Sequence, residues 1–478
     1  MSTKPVLLPS YPPRVMAPRF AVQSHWKTPA CMLGVDAFAL ALVFGFTLLL
    51  HRLINPAYPF STGTDLLPCL VIVLVAFWAR GLYPGVLLHP AEEMRRIVLS
   101  VSIVFLGMAS TTFLWRNAES YSRSVFLLTW VAAPPTVLLA RYLLRRSVCA
   151  KPWWGVPSVV LGSGPTAQKV VRSLRDGMLG VKVTGVLASE RMLAWSHDFQ
   201  PSLSERESSP AQYAIVAMPE RPAAELRHAI QDYCKGFSHV ILVPDMPGLC
   251  SLGLSALEIG GGVGVELPQR LFHRSAAAMK RVMDVVLGSL ALVAAAPLLL
   301  AIAIAVKFSS EGDILYSHIR LGRNGEKISA LKFRTMVADA ASVLENYLAA
   351  HPQHQLEWLR DHKLKNDPRV TRVGKWLRRF SLDELPQLWN VVMGQMSLVG
   401  PRPIIEAEIK KYGLGGYELY SRVRPGITGL WQVSGRNNTT YDERVQFDEY
   451  YVRNWSGWLD AYILLCTIKA VLTADGAY

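Results

Sequence analysis

The segment Val285–Val306 reads VVLGSLALVAAAPLLLAIAIAV and contains no charged side chain, and a helix of this length, about 20 residues, is long enough to cross a bilayer. Pro297 lies near its middle, where proline removes a backbone hydrogen bond and kinks a helix. Basic residues flank the segment on both sides: Lys280, Arg281 and Lys307. Because basic residues mark the cytoplasmic side, we predict a re-entrant membrane helix over residues 280–307 that bends at Ala296 and Pro297. A proline-kinked transmembrane span is the alternative.

Four further apolar stretches precede this segment, at residues 31–50, 66–79, 97–115 and 124–140. The second stretch is short and contains Pro68, whereas the other three approach the length that a transmembrane helix needs; we assign residues 1–150 to a four-helix bundle. The basic residues that follow the fourth stretch are Arg141, Arg145, Arg146 and Lys151. An even number of spans with this charge distribution predicts that both the N-terminus and everything after residue 141 are cytoplasmic.

The composition agrees with a membrane protein. Hydrophobic residues make up 51% of the 478 residues and the net charge is +14, while the mean hydropathy is +0.23. In this context the excess of basic residues indicates membrane lipid and phosphorylated substrates as partners, and no nucleic acid. The 6 cysteines have no paired spacing, so the sequence supports neither a zinc site nor a disulfide framework.

Residues 151–270 are predicted to form a Rossmann-like α/β domain, because short β-branched runs alternate with helical patterns. The turn Gly162–Ala167 follows the first run and has the form of a dinucleotide fingerprint. Its acidic partner is missing at the usual distance, since Glu190 comes too late. We therefore favour a packing turn without a bound cofactor, although a membrane-anchored dinucleotide-binding protein stays a weaker alternative.

The candidate chemistry lies in Ser381-Leu382-Asp383-Glu384-Leu385-Pro386. Ser381 with Glu384 has the form of a capping box, but proline is poorly tolerated beyond the first turn of the helix that this would start. We therefore expect the helix to begin near Pro386, with Asp383 and Glu384 at its positive end. An ionised aspartate is a competent nucleophile. The two carboxylates also suit Mg²⁺, which binds one or two carboxylates together with substrate phosphates.

Basic residues surround this pair of carboxylates along the sequence. Arg402 is held between Pro401 and Pro403, which restricts the backbone and favours a fixed guanidinium. Arginines of this kind offset the charge that develops on a transferred phosphoryl group. The candidate phosphate-binding residues are Lys332, Arg334, Arg369, Arg378, Arg402, Arg424 and Arg436.

Residues 274–478 resemble the bacterial sugar transferases, the polyprenyl-phosphate hexose-1-phosphate transferases of monotopic fold. The motifs that carry the resemblance are Lys280-Arg281…Asp284, Lys332-Phe333-Arg334-Thr335-Met336, Asp383-Glu384, Pro401-Arg402-Pro403 and Arg424-Pro425-Gly426. The family's usual Ser-Pro at the helix break is Ala296-Pro297 here. The resemblance implies that residues 271–478 form a monotopic, α-rich transferase domain. It also implies that Asp383 forms a covalent phosphosugar with release of UMP, and that Glu384 assists Mg²⁺ binding.

The resemblance to the long members of this family further implies UDP-galactose as donor and undecaprenyl phosphate as acceptor, in O-antigen or exopolysaccharide synthesis. UDP-glucose or another UDP-hexose is the alternative donor. A bacterial inner-membrane enzyme with a cytoplasmic catalytic domain is expected, and a homodimer is predicted because two-fold homodimers are the commonest assemblies. A non-catalytic scaffold for polysaccharide assembly is a further, less favoured reading.

Overall fold

The structure is a computed structural model. It describes residues 26–473, except 57–66, 116–121, 188–211, 245–254, 267–270, 356–363, 436–438, most of 223–236, and short gaps at 152, 163, 260–261, 272 and 365–366. The chain divides into two compact units, Met1–Asp245 and Met246–Tyr478. The helical residues near the N-terminus and the first α/β strands therefore belong to one unit, whereas the sequence analysis separates them at residue 150.

The first unit begins with four apolar helices, as predicted: α1 (Lys27–Ile54), α2 (Leu67–Ala79), α3 (Pro90–Trp115) and α4 (Arg123–Val148). Helices α1, α3 and α4 are long and apolar enough to cross a membrane, whereas α2 has 13 residues and is shorter. Their core contains Phe77, Val101, Phe105, Val125 and Val137. The apolar side chains on the outer faces remain exposed, as expected for helices that are surrounded by lipid tails.

A buried ion network joins three of these helices. Arg141 of α4 is 1% exposed, and its Nη2 lies 2.5 Å from Asp36 Oδ2 of α1 while its Nη1 lies 2.7 Å from Glu93 Oε1 of α3. Arg145 adds a second contact to Glu93, at 2.6 Å. In the sequence, Arg141 is recognisable only as a basic residue that marks the cytoplasmic side. In the structure it fixes the relative register of α1, α3 and α4.

Replacing Asp36 with Asn should markedly destabilise the protein, because Arg141 would keep a buried charge without its bidentate partner. Loss of one member of a buried ion pair costs about 3–5 kcal/mol. A thermal melt of the detergent-purified protein measures the effect. The matched control is Glu92→Gln, since Glu92 lies beside Glu93 on α3 but pairs with Arg95 and Arg96 at the surface. Equal melting temperatures for the two variants would show that the network contributes little.

Four strands form the sheet of the first unit: β1 (Val156–Leu161), β2 (Val181–Leu187), β3 (Tyr213–Val216) and β4 (His239–Leu242). They are parallel and lie in the order β2-β1-β3-β4. Helix α5 (Pro165–Leu174) follows β1 and packs on this sheet. The parallel strands alternating with a helix agree with the predicted α/β pattern.

The glycine turn between β1 and α5 is closely packed. Gly162 has φ +132°, and a Cβ there would collide with the carbonyl oxygen of Ala217. A Cβ on Gly164 would lie 2.6 Å from the carboxylate of Glu220. Glu220 therefore places a negative charge beside the start of α5, where a dinucleotide would place its pyrophosphate. These contacts support the interpretation that the glycines serve close packing.

The second unit contains the re-entrant candidate, which forms one helix, α6 (Arg274–Ser309), with Pro297 inside it. A β5–β6 hairpin (Ser255–Ile259 and Gly262–Glu266) precedes it, and the antiparallel hairpin of β7 (Leu315–Leu321) and β8 (Lys327–Phe333) follows it. The remaining helices are α7 (Ala340–Ala350), α8 (Arg372–Arg379), α9 (Gln387–Met393), α10 (Ile409–Ser421), α11 (Leu430–Ser434), α12 (Tyr441–Asn454) and α13 (Gly457–Thr473). The short strands β9 (Ser397–Val399) and β10 (Gly426–Thr428) form a parallel pair.

Helix α6 packs on this unit near both of its ends. Near its start, Arg281 donates to the carbonyl oxygens of Val391 and Val392 at 2.6 and 2.8 Å. Near its end, Ile302 and Val306 pack with Phe333 and Leu377, the side chains of β8 and α8. Residues 281 and 306 are separated by about 38 Å along an ideal helix. One face of α6 is therefore covered by the unit, while Leu290, Val293 and Leu300 on other faces are exposed.

Candidate active site

The local backbone presents Asp383 and Glu384 at the start of α9. Ser381 adopts a left-handed conformation with φ +54°, and residues Leu382–Glu384 form a 3₁₀ turn. Pro386 is the N-cap residue of α9, so the helix begins where the sequence predicts. Ser381 makes no side-chain cap hydrogen bond, and the capping-box alternative is therefore wrong.

Lys332 lies between the two carboxylates. Its Nζ is 2.6 Å from Glu384 Oε1 and 3.8 Å from Asp383 Oδ2. The lysine comes from β8, so the hairpin and the 3₁₀ turn together build this pair of contacts. Arg378 of α8 is the second cation beside Asp383, and its Nε donates to Thr335 Oγ1 at 3.0 Å.

The surroundings of Asp383 set its protonation. Burial raises the pKa of Asp383 above its ordinary value. The positive charge of Lys332 lowers this pKa, the negative charge of Glu384 raises it, and the positive charge of Arg378 lowers it. The side chain of Asp383 is 14% exposed. A carboxylate with little hydration and two cationic neighbours is a better nucleophile than one in bulk water, while the cations still favour its charged form.

Two other predicted phosphate-binding residues have protein partners. Arg369 forms a bidentate contact with Asp367, at 2.8 and 2.6 Å. Both residues influence Arg378 electrostatically, so they belong to the same region of charge. Arg334 donates from Nη2 to the carbonyl oxygen of Ser310 at 2.7 Å. Each of these arginines thus holds a loop of the second unit.

Arg424 lies at the opposite end of α9 from the carboxylates. Its Nε donates to the carbonyl oxygen of Gly394 at 2.7 Å, next to the carbonyls that Arg281 binds. Cations at a helix C-terminus satisfy its free carbonyl oxygens and interact favourably with the helix dipole. The structure therefore places Arg424 in a helix-capping position, and this contact orients the helix that carries Asp383 and Glu384 at its start.

The two remaining predicted arginines lie away from these contacts or outside the described residues. Arg402 lies over the ring of Trp431, with 5.4 Å from Cζ to the ring centroid. It influences Arg320 and Asp448 electrostatically. Arg436 belongs to residues 436–438, which are outside the described part of the chain.

A buried polar network joins the motif residues Lys280 and Asp284 to Asp460 and Ser397, which the sequence does not single out. Lys280 Nζ lies 3.0 Å from Asp284 and 2.8 Å from Asp460, at the start of α6 and of α13. Asp284 also accepts from the hydroxyl of Ser397. The spacing of Lys280 and Asp284 by four residues signals a helical ion pair. Asp460 has no comparable signal, because its partner is distant along the chain.

The carboxylate pair is compatible with Mg²⁺. In the described part of the chain no group of three or more His, Cys, Asp or Glu side chains is placed to hold a metal. Mg²⁺ needs fewer protein ligands than that, since it binds through one or two carboxylates and takes its remaining oxygens from water and phosphates. Asp383 and Glu384 supply hard oxygen donors of this type, and residues 382–384 place them in one turn.

Comparisons with known proteins identify relatives of the region that contains these residues. The family described as bacterial sugar transferase matches residues 275–474. The chain is 36% identical to a UDP-galactose-lipid carrier transferase of Erwinia amylovora, across 85% of this chain and 87% of that protein. It is 34% identical to an undecaprenyl-phosphate galactose phosphotransferase of Salmonella typhimurium, with 85% and 87% covered.

A relative with a different sugar in its name also matches. The chain is 33% identical to a UDP-glucose:undecaprenyl-phosphate glucose-1-phosphate transferase of Escherichia coli, across 67% of this chain and 68% of that protein. The likeness to all three relatives extends well upstream of the transferase region, because each alignment covers two thirds of the chain or more. The chain belongs to the bacterial sugar transferase family.

Proposed function

We propose that the protein transfers hexose 1-phosphate from a UDP-hexose to undecaprenyl phosphate, releases UMP, and so starts the synthesis of an exopolysaccharide or O-antigen. The observation that carries this proposal is the pair of Asp383 and Glu384, held in one turn against Lys332 and beside Arg378. An anionic nucleophile among fixed cations is what a phosphoryl transfer requires. The names of the relatives supply the substrate class.

The reaction has two displacement steps at one phosphorus atom. An oxygen of Asp383 attacks the phosphorus that bears the sugar, and the bond from that phosphorus to the oxygen of the UMP group breaks. An oxygen of undecaprenyl phosphate then attacks the same phosphorus, and its bond to Asp383 breaks. The products are UMP and undecaprenyl diphosphate-hexose, and the carboxylate of Asp383 is restored.

The other side chains bind and orient these groups. Lys332 and Arg378 offset the charge on the transferred phosphoryl oxygens. We propose that Asp383 and Glu384 hold Mg²⁺, which supplies additional positive charge to the phosphates when it is bound. Arg281 and Arg424 act indirectly, because they bind the last carbonyls of α9 and keep its first turn in place.

The donor is proposed to be UDP-galactose, since the relatives in Erwinia and Salmonella that align with 85% of the chain carry galactose in their names. UDP-glucose is the second candidate, supported by the Escherichia coli relative. The test is transfer from radiolabelled UDP-galactose, UDP-glucose and UDP-N-acetylglucosamine to undecaprenyl phosphate by the full-length purified protein. Label in the lipid fraction from UDP-galactose alone would support the first assignment, and label from UDP-glucose alone would overturn it.

We also propose that α6 is re-entrant and that the second unit is on the cytoplasmic face of the inner membrane. The support is that elements of one unit contact both Arg281 and Val306, near the two ends of the helix. A helix crossing the bilayer would separate these positions by the membrane. The basic residues at both ends, Lys280 and Lys307, agree with a return to the same side.

Cysteine labelling tests this topology. In a background without the native cysteines, Glu311→Cys should not react with a membrane-impermeant maleimide added to intact spheroplasts, and should react in inverted vesicles. Glu311 follows the end of α6 and is exposed. A cysteine at Asn117, in the predicted periplasmic loop, serves as the matched control and should react in spheroplasts. Reaction of Glu311→Cys in intact spheroplasts would show that α6 crosses the membrane.

A further inference from the structure

A second group of arginines lies at the other end of the β7–β8 hairpin from Lys332. Arg320 of β7, Arg402 and Arg444 of α12 influence one another electrostatically. Arg402 and Arg444 lie against the ring of Trp431, with 5.4 and 5.0 Å from Cζ to the ring centroid. Guanidinium groups bind favourably against aromatic faces, so the ring holds both arginines in defined positions. We refer to Arg320, Arg402, Arg444 and Trp431 as the arginine cluster.

The cluster carries more positive charge than its carboxylate neighbours offset. The nearby carboxylates are Glu408 and Asp448, so three arginines face two acids. Glu408 Oε1 is 3.6 Å from Arg444 Nη1 and Asp448 Oδ2 is 4.0 Å from Arg444 Nε, both longer than a hydrogen bond. Burial raises the pKa of Asp448 to about 6, so this compensation is lost only as the pH falls below neutral.

Arg444 is incompletely satisfied inside the protein. Its side chain is 9% exposed, and its Nε and Nη2 have no hydrogen-bond partner. Arg320 is half-buried, and burial lowers its pKa. The positive charges of Arg402 and Arg444 lower the pKa of Arg320 further. A cationic group that repels its own neighbours is stabilised by an anion. The cluster therefore has the electrostatics of an anion-binding site.

The hairpin register relates this cluster to the carboxylate pair. Lys332 pairs with Tyr316, and Arg320 pairs with Ile328, so the two cations project from the same face of the hairpin. Four residues along β7 separate the pairs, which corresponds to about 13 Å. The backbone of Leu321 donates to Ile404 at 2.8 Å, and this bond fixes the Arg320 end of the hairpin beside the Pro-Arg-Pro turn.

The two ends of the hairpin differ in their relation to the membrane helix. Phe333, next to Lys332, packs with Ile302 and Val306 of α6. The Arg320 end lies farther from this contact, beyond the paired residues His318 and Ala330. A lipid acceptor that approached along the membrane helix would reach the Lys332 end first. A water-soluble substrate is the ligand that suits the Arg320 end.

We propose that Arg320, Arg402 and Arg444 form a binding site for the nucleoside-phosphate half of the donor, while the sugar phosphate lies at Asp383. This inference rests on the proposed function, because it takes the donor to be a nucleotide sugar. Arg320 and Arg402 would bind the oxygens of the ribose and the base, because the two phosphates of the donor are joined through one oxygen and both lie near Asp383. Arg444 packs against the ring of Trp431, which also contacts Arg402, and adds positive charge to the site. The same site would hold UMP until it dissociates.

Calorimetric titration of UMP into the full-length protein tests the proposal. Arg320→Gln should weaken UMP binding about 10- to 100-fold, the range expected for loss of a charge-assisted hydrogen bond. Arg402→Gln should do the same, and Arg320→Lys should recover part of the affinity. Arg422→Gln is the matched control, since Arg422 is exposed and pairs with Glu418. Asp383→Asn should bind UMP as the wild type does.

Two results would overturn the proposal. One is unchanged UMP affinity in both Arg320→Gln and Arg402→Gln, with melting temperatures equal to that of the wild type. The other is an increased KM for undecaprenyl phosphate in Arg320→Gln with unchanged UMP affinity, which would assign the cluster to the lipid phosphate. Failure of the proposed function itself is distinguishable, because the wild type would then transfer no sugar phosphate from any UDP-hexose.

Discussion

Replacing Asp383 with Asn is expected to lower the rate of sugar-phosphate transfer by about 10⁴-fold or more, the range seen when a nucleophile is removed. The amide keeps the shape of the carboxylate but lacks the charge that attacks phosphorus. The neighbouring cations keep other partners in the variant, because Lys332 pairs with Glu384 and Arg378 donates to Thr335. The measurement is initial-rate transfer by the purified variant.

The matched control for this variant is Asp313→Asn. Asp313 is exposed and lies just before β7, away from the carboxylate pair in sequence. The Asp313→Asn variant should transfer sugar phosphate at the wild-type rate. If Asp383→Asn kept more than a tenth of the wild-type rate, another residue would have to be the nucleophile.

The second large effect concerns Lys332 and the pH dependence of the reaction. The positive charge of Lys332 lowers the pKa of Asp383, so Lys332→Gln should raise that pKa further above its ordinary value. Activity needs the ionised carboxylate and is lost as the pH falls through this pKa. The acid limb of kcat/KM should therefore move to higher pH, and the maximal rate should fall by about 10²-fold because a cation beside the phosphate is lost.

Glu384→Gln provides the opposite shift in the same experiment. The negative charge of Glu384 raises the pKa of Asp383, so its removal should move the acid limb to lower pH. A weaker dependence on Mg²⁺ is also expected if Glu384 is a ligand. Acid limbs that move in the same direction in Lys332→Gln and Glu384→Gln would contradict the electrostatic description of Asp383.

The start of α9 was predictable because local chemistry decides it. Pro386 cannot occupy a helix interior, so the helix had to begin beside it, and the carboxylates had to lie in the preceding turn. The apolar helices and the parallel strands were predictable for a related reason. Their patterns are repeated over many residues and depend little on distant partners.

The roles of individual arginines were not predictable in this way. Arg402 and Arg424 both lie beside proline in a loop, yet one contacts the ring of Trp431 and the other caps the end of α9. Their partners are 29 and 30 residues away in the chain, and no local pattern identifies them. The partners of Arg141 were unpredictable for the same reason, since the two buried carboxylates that it binds lie on two other helices.

Arg320 is recognisable in the sequence only as part of a basic turn, and Arg444 has no local signal, so neither is among the candidate phosphate-binding residues. Their relation to Arg402 depends on the hairpin register and on the packing of α12 against α11. Tertiary packing alone brings the three side chains together.

The central claim is that Asp383 carries the sugar phosphate during the reaction, and its most direct test omits the lipid acceptor. The full-length protein is mixed with UDP-hexose labelled with ³²P in the phosphate that bears the sugar, then digested and analysed by mass spectrometry and autoradiography. We expect one equivalent of UMP to be released and the label to appear on the peptide that contains Asp383, with no label in Asp383→Asn. Release of UMP only after undecaprenyl phosphate is added, with no labelled peptide, would contradict the account.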